Sequence, residues 1–72
     1  MRLRQIFADN LRQARRRKDL SQEALADLAG IDRTYVSALE RQVYSASIDT
    51  IEKLAEVLGV EPSHLLETPA VH

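Results

Sequence analysis

The chain has 72 residues, 44% hydrophobic and 29% charged, with a formal net charge of -1 and no cysteine. That length holds one domain at most, close to the lower limit for a chain that folds alone, and without cysteine neither a disulfide nor a thiolate zinc site can supplement the core. No apolar run reaches membrane-spanning length and the start "MRLRQIFADN" lacks the apolar core of a signal peptide, so a cytoplasmic location is expected.

The near-neutral total hides a separation of charge. Residues 1–18 carry Arg2, Arg4, Arg12, Arg15, Arg16, Arg17 and Lys18 against Asp9, a balance of +6. Residues 42–72 carry Lys53 against Asp49, Glu52, Glu56, Glu61 and Glu67, a balance of -4. The local field, rather than the sum, steers a polyanion toward one side of such a molecule.

Apolar residues recur at helical spacing throughout, so the fold class is all-α, with five helices. The first covers about residues 3–18, with Ile6, Phe7, Leu11 and Ala14 on one face and basic residues in its last turn, where they favour the helix dipole. Ser21 is an N-cap candidate for a short second helix over about 22–28, which Gly30 stops. Asp32 caps a third helix over about 33–41, with Val36 and Leu39 turned inward. "QVYSAS" (42–47) breaks the periodicity and reads as a loop. Ser47 then caps a fourth helix with Ile48, Ile51, Leu54, Ala55 and Leu58 inward, and Gly59 closes it. Pro62 suits the first position of a short fifth helix, "PSHLLE". Residues 68–72 read as a flexible tail.

The pair of short helices around "AGID" has the spacing of a helix-turn-helix, in which the first helix crosses the phosphate backbone and the second enters the major groove. On periodicity alone the polar side of the third helix is an ordinary solvated face. However, "LSQEALADLAGIDRTYVSALERQ" resembles the helix-turn-helix of phage-repressor and Xre-type regulators. "SIDTIEKLAEVLGVEPSHLL" is similar to the fourth and fifth helices of that family, so the resemblance covers about residues 8–67. It implies a five-helix, lambda-repressor-like DNA-binding domain over 1–67, with the helix-turn-helix at about 21–41 and dimerisation helices at about 48–67. The short length and the "RTY" opening of the third helix further resemble restriction-modification controller proteins, which are homodimers.

Residue by residue, the resemblance implies base contacts by Arg33, Thr34, Tyr35, Ser37 and Ala38. Arg33 has the fork that bonds guanine O6 and N7 together. It implies phosphate contacts by Gln22, Arg41, Ser45 and Ser47; Arg17 is expected to join them or to act through its field alone. Arg15 and Glu40 match a partly buried ion pair tying the first helix to the third. The family commonly has glycine where Gln42 stands, so Gln42 is expected to take a positive φ or to end the helix differently.

Val57, Val60, Leu65 and Leu66 are more apolar surface than a monomer of this size need hide, and they are the expected dimer interface. His64 and His72 are too few and too far apart for a metal site. No nucleophile, base and orienting group fall together, and no glycine-rich phosphate loop is present, so neither enzyme activity nor a cofactor or small-molecule ligand is expected. The functional expectation is a transcriptional regulator that binds a palindromic operator on double-stranded DNA as a homodimer; the alternative is a protein-interaction module on the same scaffold, of antitoxin or anti-repressor type.

Overall fold

The computed structural model describes residues 2–68. Four α-helices, α1 (Leu3–Arg17), α2 (Gln22–Ala29), α3 (Arg33–Glu40) and α4 (Ile48–Leu58), are followed by one 3-10 turn, Pro62–Leu66. The expected fifth α-helix is therefore corrected to a 3-10 segment. Five residues behind a proline are too few for an α-helix to nucleate, and the i→i+3 bond from His64 N–H to the Glu61 carbonyl (2.9 Å) closes the tighter turn instead.

Each helix start after α1 has a side-chain cap. Ser21 Oγ accepts from Ala24 N–H, Asp32 from Thr34 N–H and Ser47 Oγ from Thr50 N–H. The four helix ends share one device. Beyond each, a residue in the left-handed region lets its own amide and the next one fold back on the last carbonyls, the Schellman pattern. Gly30 (φ 70) and Gly59 (φ 69) do this without steric cost. Asp19 (φ 55) and Gln42 (φ 64) do it with a side chain attached. At the end of α3, Gln42 N–H bonds the Leu39 carbonyl (3.2 Å) and Val43 N–H that of Ala38 (2.9 Å).

The core is built around Phe7, Leu11, Leu25, Val36, Leu39 and Leu54. Leu65, expected at a subunit interface, lies in that core with no exposed surface. Its carbonyl explains the orientation. The Asn10 side-chain amide on α1 donates to the backbone carbonyls of His64 (3.3 Å), Leu65 (3.0 Å) and Glu67 (2.8 Å), pinning the 3-10 turn to α1 with Leu65 turned inward. Ile48, expected inward, is 85% exposed. It occupies the first position of α4, and the face that meets the core is Thr50, Leu54, Ala55 and Leu58, with Ile51 half-buried, so burial begins two residues into the helix.

Three helices meet at one carboxylate. Glu40, 2% exposed at the end of α3, receives Arg15 from α1 in a two-pronged contact, Nε to Oε2 at 2.7 Å and Nη2 to Oε1 at 3.0 Å. Gln22 Nε2, from the first residue of α2, donates to the same Oε1 (3.0 Å). Arg12 Nη2 takes the Glu40 backbone carbonyl (2.7 Å), and Arg15 Nη1 takes that of Leu20 (2.9 Å). Among the described residues no buried side-chain nitrogen or oxygen lacks a partner. Burial is the strongest influence on the Glu40 carboxyl and opposes its ionisation. Donation by Arg15 and Gln22, with the charges of Arg15 and Arg12, outweighs it and holds the group below its ordinary 4.5.

Two predictions follow from these contacts. A carboxyl with a depressed folded-state pKa contributes stability above its unfolded value, lost as the pH falls through the folded one. Urea unfolding of the wild type should therefore weaken from about pH 5 downward, whereas Glu40→Gln should lack the part of that acid limb due to residue 40 and lose about 3 kcal/mol at pH 7; an acid limb identical in both proteins would show that Glu40 does not carry it. Gln42→Gly should raise stability by roughly 0.5–1 kcal/mol, relief of left-handed strain outweighing the added freedom of the unfolded chain. In a domain of this size that is a few degrees in Tm, and a lowered Tm would mean that the Gln42 side chain contributes more than its backbone costs.

Candidate DNA interface

The turn between α2 and α3 is set by backbone bonds. Gly30 turns the chain, Ile31 N–H returns to the Ala26 carbonyl (3.0 Å) with its side chain half-buried, and Asp32 begins the next helix. α3 is thereby anchored at both ends, by the Asp32 cap and by the Glu40 contacts. Val36, Leu39 and Glu40 form its inner side.

Its outer side is a short polar strip. Arg33, Ser37 and Arg41 follow one another at single-turn spacing, with Thr34 alongside. Arg33, Thr34 and Arg41 are exposed and Ser37 is half-buried. Two expected base-facing residues lie at its margin or beyond. Ala38 is only 4% exposed, on the flank where the chain folds back through the Val43 amide, and Tyr35 is half-buried against the core cluster. Ala38 lies at the edge of the strip, one turn beyond Thr34, and Tyr35 lies further round the helix; their burial is not settled by the sequence alone because alanine and tyrosine are at home on either side of a small helix.

The strip is internally bonded. Asp32 Oδ1 accepts from both the Thr34 amide (2.8 Å) and the Thr34 hydroxyl (2.7 Å), and these two bonds, with the nearby Arg33 charge, hold the Asp32 carboxyl below its usual range. Arg41 Nε donates to Ser37 Oγ (3.3 Å).

Around the strip, the expected phosphate-binding residues differ in how free they are. Arg17, in the last turn of α1, is exposed. Gln22 is half-buried and gives one amide proton to Glu40, keeping the other. Ser45 accepts from Arg4 Nε (3.1 Å), a bond between the start of α1 and the loop that no local pattern announces. Ser47 is committed twice, accepting from Thr50 N–H (3.1 Å) and donating to Thr50 Oγ1 (2.9 Å), so its hydroxyl serves the start of α4.

On another side of the molecule an open apolar groove of about 270 Å³ lies between the start of α1, the loop after α3 and the 3-10 turn. Leu3 (41% exposed), Tyr44 (61%) and Leu66 (37%) stand on its rim. Val57 and Val60 are half-buried beside the core. Among the described residues no group of histidine, cysteine or carboxylate side chains is placed to hold a metal ion, and no helix is long and apolar enough to cross a membrane.

The helix-turn-helix family model matches residues 11–65. A hypothetical transcription factor of Neisseria meningitidis is 48% identical over 67 residues, covering 93% of this chain; the chain spans 63% of that relative's length. The crystal structure of the restriction-modification controller protein C.AhdI from Aeromonas hydrophila is 45% identical, with a TM-score of 0.83 over 86% of this chain and 94% of its own. SinR, a Bacillus subtilis master regulator of biofilm formation solved in complex with DNA, is 34% identical with a TM-score of 0.82 over 85% of this chain and 98% of its own. With most of its length inside the family model and controller proteins among its relatives, the chain belongs to the Xre-type helix-turn-helix family.

Proposed function

We propose that this chain is a sequence-specific DNA-binding transcriptional regulator that binds a palindromic operator as a homodimer, each α3 lying in a major groove, in the manner of a controller protein. The observation that carries this reading is the strip of Arg33, Thr34, Ser37 and Arg41. It is the outward side of a helix whose inner side is locked to two other helices by the core and by Glu40. A reading helix must keep its angle while it displaces groove water, and a helix this short gains that rigidity from tertiary contacts rather than from its own propensity. The family membership and the DNA-bound state of SinR support the same reading.

Arg33 is the residue assigned to guanine, its guanidinium having no partner in the described hydrogen bonds other than what a groove would supply. Arg17, the remaining amide proton of Gln22 and the Ser45 hydroxyl are assigned to phosphates. Ala38 and Ser47 leave the contact set because burial or capping already occupies them, while Tyr35, half-buried through its ring, keeps its place there. For the dimer, Leu65 is withdrawn and the surface becomes Leu66 with Leu3 and Tyr44 on the groove rim, beside Val57 and Val60. Helix-turn-helix dimers read half-sites roughly 34 Å apart, about one turn of duplex, which is the spacing expected of the operator.

The test is a gel shift on DNA upstream of the gene, run with sedimentation of the free protein. A sequence-selective complex of two chains per duplex is expected; binding that is equal on all sequences at low salt would sink the regulator reading and favour an interaction module. Arg33→Ala should weaken specific binding by roughly 1–3 kcal/mol and relax the preference at one base position. Leu66→Glu should sediment as a monomer that keeps its helical circular dichroism, and a dimer unaffected by this change would place the interface elsewhere.

A further inference from the structure

The internal bonds of the reading strip constrain which base-edge groups one of its hydroxyls can recognise. A hydroxyl ordinarily offers one proton and two lone pairs, so serine or threonine reads donors and acceptors alike. At Thr34 that ambiguity is removed. Thr34 Oγ1 stands 2.7 Å from Asp32 Oδ1. A carboxylate only accepts, so the Thr34 proton is spent on it, and the same oxygen also receives the Thr34 amide. What Thr34 has left for the groove is lone pairs. Ser37 keeps both senses. Its Oγ accepts from Arg41 Nε at 3.3 Å, which leaves its proton and one lone pair for the groove.

Resting on the DNA-binding reading above, we propose that Asp32 polarises the recognition helix: by taking the Thr34 proton it makes Thr34 an acceptor that selects a base-edge amino group. The amino groups of the major groove are N6 of adenine and N4 of cytosine; the acceptors are N7 and O6 of guanine, N7 of adenine and O4 of thymine. Asp32 is thus a specificity-setting residue that need touch no base. Thr34 would reject guanine or thymine at its contact, because two acceptors would face each other with no proton between them.

The experiment selects duplexes from a randomised library with the full chain, then repeats the selection with Thr34→Val, Thr34→Ser and Asp32→Ala. The wild type should fix adenine or cytosine on one strand at a position whose preference relaxes in Thr34→Val, with a loss of roughly 3- to 10-fold in affinity for the selected duplex, as for one neutral hydrogen bond. Thr34→Ser, which keeps the hydroxyl and its bond to Asp32, should keep the same base. Asp32→Ala frees the Thr34 proton and should admit guanine or thymine at that position. Placing N6-methyladenine or N4-methylcytosine there, with the methyl on the groove side of the amine, should cost the wild type a similar factor and Thr34→Val nothing.

A selected guanine or thymine at the Thr34 position, or a preference lost in Thr34→Ser and retained in Thr34→Val, overturns the polarity while leaving the regulator reading intact. A library that yields no sequence at all overturns the regulator reading, and the polarity with it. A merely structural role for Asp32 would lower affinity on every duplex equally and leave the chosen base unchanged.

Discussion

A charged group that folding removes from water must be fully partnered, and Glu40 is that group in this chain. Its two oxygens and its backbone carbonyl draw donors from Arg15, Gln22 and Arg12, which belong to the first two helices. The apolar core tolerates some sliding and rotation of short helices, because hydrophobic burial has no direction. Hydrogen bonds to a buried carboxylate do have direction. Satisfying Glu40 fixes how the end of α3 sits against α1 and α2, and therefore the angle at which the outer side of α3 meets whatever lies beyond it. Asn10 plays the corresponding part in the middle of α1, where three backbone carbonyls converge on one amide.

That demand redistributes the positive charge of the N-terminal half. Of the seven cations in residues 1–18, Arg12 and Arg15 are consumed by Glu40 and by nearby carbonyls, and Arg4 is bonded to Ser45. Lys18 lies beside Gly59, at the C-terminal end of α4, where a cation meets the negative end of the helix dipole. The basic balance is thus only partly available for steering a polyanion. The rest holds the helices in register.

What was legible in the sequence is what local physics determines. The three side-chain caps at Ser21, Asp32 and Ser47, the left-handed stops at Gly30 and Gly59 and the helical period of the core residues all depend on neighbours within a turn or two. The left-handed φ of Gln42 was legible only as a departure from a glycine that the family has there, and the equivalent strain at Asp19 had no such pointer. Illegible were the choices settled by distant partners. Ile48 and Leu65 have the same apolar character, yet one is exposed at the first turn of a helix and the other is in the core because Asn10 fixes the turn that carries it. Within the site, the exposed character of Arg33 and Thr34 could be read from spacing, while the burial of Ala38 and the partial burial of Tyr35 could not, because both lie where the polar face of α3 gives way to its packed one.

The same distinction bears on how so small a surface discriminates between sequences. Arg33, Thr34 and Ser37 on a helix of eight residues, with Arg41 just beyond it, present few contacts, and each hydroxyl that reads both donors and acceptors would dilute what the others specify. Asp32 removes that dilution at Thr34 at no cost in size, since the cap that starts α3 is needed for the helix in any case. In this chain the residue that begins the recognition helix therefore also sets the sense of the Thr34 hydrogen bond, and helix capping and sequence discrimination become one arrangement of the same atoms.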